Sequence, residues 1–301
     1  MSRLPVRFLI VIAAVAASAG CASKGSKAPP EVLAASKAVE KSIRDERDSL
    51  MNTARTSLQG GDVKVAIEGY ERVLRTDPDN ADARFGLGEA LLQAGRYEDA
   101  VVHFRKLTDH PQHRAGSLQG MGLAMLLKGD EEEGQKALSA AVGVDPALWR
   151  VWNALGQNWD KQKEWRRAEA CYRKALQINP NADVVYNNLG MSYFMQAQYR
   201  KALTQFNLAL KLNKKLDAAH LNRRLALAML GRYDEAIGGV DPSEQHRVLN
   251  NIGYIAMLRC DLELARAYFQ RATELSPSYY KTAHDNLRRV EELIKGGGEC
   301  K

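Results

Sequence analysis

The chain has 301 residues, 45% of them hydrophobic, and a formal net charge of +7. That apolar share is ample for a packed protein, and the length could hold two ordinary domains unless an internal repeat overrides that expectation. Lys and Arg are mixed among Asp and Glu with no block of five or more basic residues, so no nucleic-acid patch is signalled.

The first 21 residues read MSRLPVRFLIVIAAVAASAGC. Arg3 and Arg7 make a basic start. Phe8 to Ala17 is an apolar run of about ten residues, too short to span a bilayer and of the length of a signal-peptide core. The run ends in Ser18-Ala19-Gly20-Cys21, which resembles a bacterial lipobox with Ser18 where Leu is usual. The resemblance implies that residues 1–20 are removed as a lipoprotein signal peptide and that Cys21 becomes the acylated, palmitate-bearing first residue. Ala22 is not the Asp that commonly retains lipoproteins in an inner membrane, so the implied address is the periplasmic face of the outer membrane. The plainer alternative is a secretory signal with a fortuitous Cys. Residues 21–46 then read as a lipidated start and tether, with Pro29 and Pro30 followed by a polar, Ala-rich helical lead-in.

Repeats organise the rest. From Trp152 the residues Trp152, Leu155, Gly156, Trp159, Ala168, Tyr172, Ala175 and Pro180 spell a helix, a turn, a second helix and a stop. One 34-residue step later Tyr186, Leu189, Gly190, Tyr193, Ala202, Phe206 and Ala209 repeat it. Upstream, Ala66, Tyr70 and Pro78 follow Gly60-Gly61; then come Leu87, Gly88, Gly95, Ala100 and Phe104, and Gly122, Gly129, Leu138, Ala141 and Pro146. In the fifth unit Lys214 stands where Pro is usual, so its helices are expected to run on more continuously. The sixth is weak: Arg223 and Arg224 replace the small Leu-Gly pair, read as a decayed repeat with an acidic partner contact or a bend as the alternative, and Gly238-Gly239 and Asp241-Pro242 cut the second helix short. The seventh recovers with Ile252, Gly253, Ala265, Phe269, Ala272 and Pro277, and residues 279–295 predict one more amphipathic helix before a Gly-rich tail.

This pattern resembles the tetratricopeptide repeat over residues 47–279. The resemblance implies an all-α, right-handed superhelical solenoid of about seven helix pairs, closed by a capping helix and tail at 280–301, with a groove lined by first helices. Groove positions of the repeat fall in this chain on Asn153, Asn187, Asn188, Asn222, Asn250 and Asn251, with apolar neighbours Met191, Phe194, Met195, Leu221, Leu225, Tyr254 and Met257. Asn is a mediocre helix former whose amide can clamp an extended peptide, and Met-rich surfaces adapt to irregular apolar partners. The alternative is that these asparagines are inherited from the repeat and that Met195 and Met257 face neighbouring helices.

No catalytic or metal constellation stands out. His110 and His113 flank Pro111 in a loop, and the cysteines show no paired spacing. Cys300 in the tail is a candidate for an intermolecular disulfide. Trp149 and Trp165 are candidate exposed anchors. The expectation is a binding scaffold with protein partners, no enzyme activity, no cofactor and no metal. The short leader, Leu249-Asn250-Asn251-Ile252-Gly253-Tyr254 and Ala283-His284-Asp285-Asn286-Leu287 resemble the TadD family of tight-adherence (Flp-type) pilus assembly, which implies work on a secretin or on pilus components. The alternative class is an envelope adaptor for cell-wall enzymes or outer-membrane protein assembly.

Overall fold

The computed structural model describes residues 30–276, 278 and 280–296. The expected signal peptide, Cys21, Pro277 and Cys300 lie outside these. Fifteen helices and no strand are present among the described residues, and the chain divides into two compact units, up to Ala83 and from Arg84 onward.

In the first unit, α1 (Pro30–Gln59) and α2 (Val63–Thr76) form a hairpin. The turn needs Gly61, whose φ of 84° lies in the left-handed region. Asp62 caps α2 by accepting a bond from the Val65 N–H at 3.3 Å. The two helices touch where Ala54 meets Gly69: a Cβ on Gly69 would lie 2.9 Å from that of Ala54. α1 runs unbroken across the boundary expected at residues 46–47, so the lead-in and the first repeat helix are one element.

The second unit stacks helix pairs. α3 (Ala81–Gln93), which begins in the first unit, pairs with α4 (Tyr97–Arg105), and α5 (Arg114–Lys128) with α6 (Glu131–Val144). The pairs α7 (Trp149–Lys161) and α8 (Trp165–Ile178), then α9 (Asp183–Met195) and α10 (Tyr199–Leu212), follow. After these come α11 (Asp217–Met229) with α12 (Tyr233–Ile237), α13 (Gln245–Leu258) with α14 (Leu262–Glu274), and the closing α15 (Lys281–Lys295). One packing rule builds the clear pairs. A glycine of the first helix lies against a large side chain of the second: Gly88 on Phe104, Gly122 on Leu138, Gly156 on Tyr172, Gly190 on Phe206 and Gly253 on Phe269. Those five large side chains are almost wholly buried. A Cβ at Gly190 would come within 2.5 Å of Phe206 Cε1, so only hydrogen fits there.

Between pairs the chain breaks at an Asx turn. Asp145, Asn179 and Asn213 all adopt extended backbone, and each carboxylate or amide oxygen accepts the N–H two residues on, at 2.9, 3.2 and 3.0 Å. This corrects the expectation for the fifth unit. Lys214 does not let the helices run on: α10 stops at Leu212, because Asn213 makes the turn whether or not proline follows. Asn213 also donates to Asp183 Oδ2 at 2.6 Å.

The sixth pair is incomplete, as its sequence indicated. α12 has five residues, Gly238 leaves the helix, and Gly239 takes a φ of 67°. The capping helix buries Ala283 and Val290 and turns Arg288, Arg289 and Glu292 to water.

Candidate functional site

The groove asparagines stand on the first helices, and most of them are bonded to one another. Asn188 Nδ2 on α9 donates to Asn153 Oδ1 on α7 at 3.0 Å. Asn222 Nδ2 on α11 donates to Asn187 Oδ1 at 2.9 Å, and Asn286 Nδ2 on α15 donates to Asn250 Oδ1 at 2.9 Å. A residue of one first helix thus reaches back one repeat to the preceding first helix. The reason is geometric: consecutive first helices lie side by side, and one amide supplies the donor that the other accepts. Asn187 and Asn250 are 9% and 5% exposed. Three of the candidate pairings are therefore staples between units. Asn251 is exposed and has no side-chain hydrogen bond among the described residues.

The apolar candidates divide. Met195, Leu221 and Tyr254 are 50%, 44% and 41% exposed, so a row of large side chains on α9, α11 and α13 stays uncovered. Met191, Phe194 and Leu225 are half-buried against the core, with Phe194 edge-on to Tyr199 at 5.3 Å. Met257 is buried and belongs to the core.

The tryptophans also resolve. Trp149, Trp152 and Trp159 are partly buried and pack against the core. Trp152 Nε1 donates to the Pro146 carbonyl at 3.0 Å, and Arg150 and Arg167 lie over the rings of Trp149 and Trp159. Trp165 is half-buried as well. The rings of His110 and His113 lie tilted at 5.0 Å, and His113 stacks on Phe85. No group of three potential metal-ligating side chains is found among the described residues. Cys171 is a free, buried thiol pushed up to about 11 by burial. Cys260, in the α13–α14 turn with a φ of 65°, is disulfide-bonded.

Two polar knots were not foreseen. Asp160, 6% exposed at the end of α7, accepts from the Tyr172 hydroxyl at 2.8 Å and from Ser192 Oγ on α9 at 2.6 Å. It locks α8 and the next unit onto α7. Burial raises its carboxyl above the ordinary value, and the two hydroxyl bonds pull it back. In the second knot Tyr233 donates to Asp261, Arg259 Nε reaches the Tyr233 hydroxyl at 3.1 Å, and Arg259 Nη1 donates to the Met229 carbonyl at 2.6 Å. Burial, with the bond to Asp261, pushes the Tyr233 phenol up to about 12. The usable sequence signal was the carboxylate itself, an Asp twelve residues before the core Tyr172.

Tetratricopeptide-repeat family models match residues 51–113, 149–182, 171–204 and 246–279. BBSome complex member BBS4 of Bos taurus is 27% identical over 123 residues, 40% of this chain and 23% of that protein. A TPR repeat-containing protein of Pseudomonas aeruginosa is 42% identical over 53 residues, 17% of this chain and 50% of that protein. The chain thus spans at most half the length of these relatives. Among solved structures, the C-terminal part of a TPR repeat-containing protein from Cytophaga hutchinsonii superposes with a TM-score of 0.58 at 18% identity, covering 79% of this chain and 99% of that one. Pseudomonas aeruginosa PilF superposes with a TM-score of 0.52 at 19% identity, covering 83% and 98%. Identities this low establish a shared fold and nothing finer.

Proposed function

Because this chain is built of tetratricopeptide repeats, we propose that it is a periplasm-facing outer-membrane lipoprotein scaffold that holds protein partners on the face of its first helices. The observation that carries the binding reading is the uncovered row Met195, Leu221 and Tyr254. Large apolar side chains left in water on successive first helices, at different heights along them, are the kind of surface a partner covers. Staples join α7 to α9 and α9 to α11, so over that part of the face a partner meets a preformed surface. The address rests on Ser18-Ala19-Gly20-Cys21, where acylation of Cys21 supplies the membrane anchor. No helix among the described residues is long and apolar enough to cross a membrane.

The resemblance to the TadD family points the scaffold toward secretin or pilus components. The second reading, an adaptor for cell-wall enzymes or outer-membrane protein assembly, uses the same face. Neighbouring genes separate the two: a secretin and a secretion ATPase support pilus work, and murein hydrolases support the adaptor. Two experiments test the scaffold. Cys21→Ser is expected to leave the outer-membrane fraction, and persistence there removes the lipid anchor from the reading. Photo-crosslinkers at Asn188 and Met195 are expected to capture a partner, whereas capture only from Lys174 on the second helix α8 would place the binding face elsewhere.

A further inference from the structure

The sixth unit departs from the packing rule at both of its contact positions. The first-helix glycine that receives a large side chain elsewhere is Arg224 here. One repeat on from Phe206, the place of that side chain falls on Val240, beyond the end of the five-residue α12. Arg and a core ring could not share the slot, and the helix that would carry the ring has been cut away. What remains is a cleft of about 840 Å³ bounded by α11, the turn at 239–241, α13 and Tyr280.

The cleft is not filled, and although its walls carry both arginines and carboxylates, none of those carboxylates pairs with Arg224. Arg224 is half-buried in it and has no hydrogen-bond acceptor or carboxylate partner among the described residues. Its nearest charged influence is Arg223, which repels it, and Arg223 is itself engaged by Asn207 Oδ1 at 2.9 Å. Three carboxylates line the same space. Asp241 accepts from the Ser243 N–H and hydroxyl, Glu244 pairs with Arg247 at 3.3 Å, and Asp217 is exposed in the first turn of α11. None of them meets Arg224. A second irregularity falls at the same place. The asparagine staple fails between α11 and α13, because Leu221 stands where the acceptor for Asn251 would be. Both Leu221 and Asn251 line the cleft.

We propose that this vacated slot binds a peptide bearing a carboxylate beside a large apolar side chain. The apolar group takes the space of the missing ring, against Leu221, Val248 and Tyr280. The carboxylate pairs with Arg224, whose planar fork matches it, and the Asn251 amide serves the peptide backbone. The assignment deepens the scaffold reading and rests on it, since it names the chemistry of one partner segment. The carboxylate comes either from a chain terminus or from an Asp or Glu side chain.

Fluorescence anisotropy on the full chain in detergent decides this with four labelled peptides. The first ends in Leu-Phe with a free carboxylate, and the second is its amide. The third carries an internal Phe-Glu and ends in an amide, and the fourth replaces that Glu by Gln. At least one acid peptide is expected to bind about tenfold or more tighter than its neutral twin, as a charge-assisted bond in a partly desolvated site requires. Which acid wins identifies the source of the carboxylate. Arg224→Gln should erase the difference while Asn188→Ser preserves it. If Arg224→Gln does not fold, the acid and neutral comparison on the unaltered chain and a loss of affinity in Tyr280→Ala decide instead. Equal binding of the twins, no binding at millimolar peptide, or an acid preference that survives Arg224→Gln overturns the proposal. Crosslinking from Asn188 and Met195 keeps the two readings apart. Capture that persists when the peptides fail leaves the scaffold standing without this slot.

Discussion

Gly190 and Gly143 are both helical glycines, and they should respond oppositely to the same methyl group. A Cβ at Gly190 meets the Phe206 ring at 2.5 Å, whereas one at Gly143 meets nothing within 4 Å. Gly190→Ala is expected to destabilise by about 1–3 kcal/mol through overpacking. Gly143→Ala should gain up to about 1 kcal/mol of helix propensity. Urea unfolding of the pair checks both signs. Asp160 offers a pH test. Its carboxyl is raised by burial, so the folded chain holds that proton more tightly than the unfolded one. The resulting stability is present at low pH and is lost as pH rises through the folded pKa. Relative to Asp160→Asn, the unaltered chain should therefore lose ground from acid toward neutral pH and level off once the group is ionised in both states. Urea midpoints across that range would contradict this by moving the other way. Cys171, buried and raised to about 11, is expected to label with thiol reagents orders of magnitude more slowly in the native chain than in urea, read at the peptide by mass spectrometry.

The turn after α10 carries the argument at the scale of elements. Asn213 holds an extended backbone there without help from proline, and the Lys214 N–H makes no backbone hydrogen bond. Lys214→Pro restores the residue found at Pro180 in the preceding unit, where the residue before it has the same extended form. It should stabilise by about 0.4–1 kcal/mol through the unfolded chain. Asn213→Ala should cost about 1–3 kcal/mol, since it removes both the turn bond and the bond to Asp183. Thermal melts of the two variants, moving in opposite directions, test whether the Asx residue or the proline punctuates this repeat. The elements themselves were legible in the sequence because spacing alone sets the small-against-large contacts of Gly156 with Tyr172 and Gly190 with Phe206. The end of α10 was misread because proline was taken as the stop signal, and the hydrogen bond that makes the stop belongs to the residue before it.

At the scale of the molecule, the second unit is a chain of nearest-neighbour contacts, and its stability is a sum of pair and interface contributions. One buried cluster runs from Ala168 to Val290, threaded through the sixth unit by Ala226, Leu227, Ala228 and Ala236. That unit lacks most of its second helix, so it is the thinnest section. Hydrogen exchange should find the amides of α12 and the 238–245 turn opening first, well before those of α9 and α10. Protection there equal to that of α9 would mean the cleft is held shut in solution. The groove was less legible than the fold. Its positions could be counted from the repeat, but a count does not say whether an Asn side chain faces a partner or the next Asn. Asn153 and Asn188 settle that only in three dimensions. Conversely, Arg223 and Arg224 read in one dimension either as decay or as the mark of an acidic partner or a bend, and the place of Arg224 is seen only with Val240 lying beyond a helix that ends early.

The long first helix has a mechanical consequence. From Glu31 to Glu46 almost every residue of α1 is exposed, with no buried face to hold the coil closed. A helix without such a face is marginal and can be drawn out, going from about 1.5 Å to about 3.4 Å per residue. A pull applied at residue 30 is therefore met first by this stretch, which lengthens like a spring while the pairs behind it stay packed. Compliance and load-bearing are divided along the chain, with the soft section placed ahead of the stiff one.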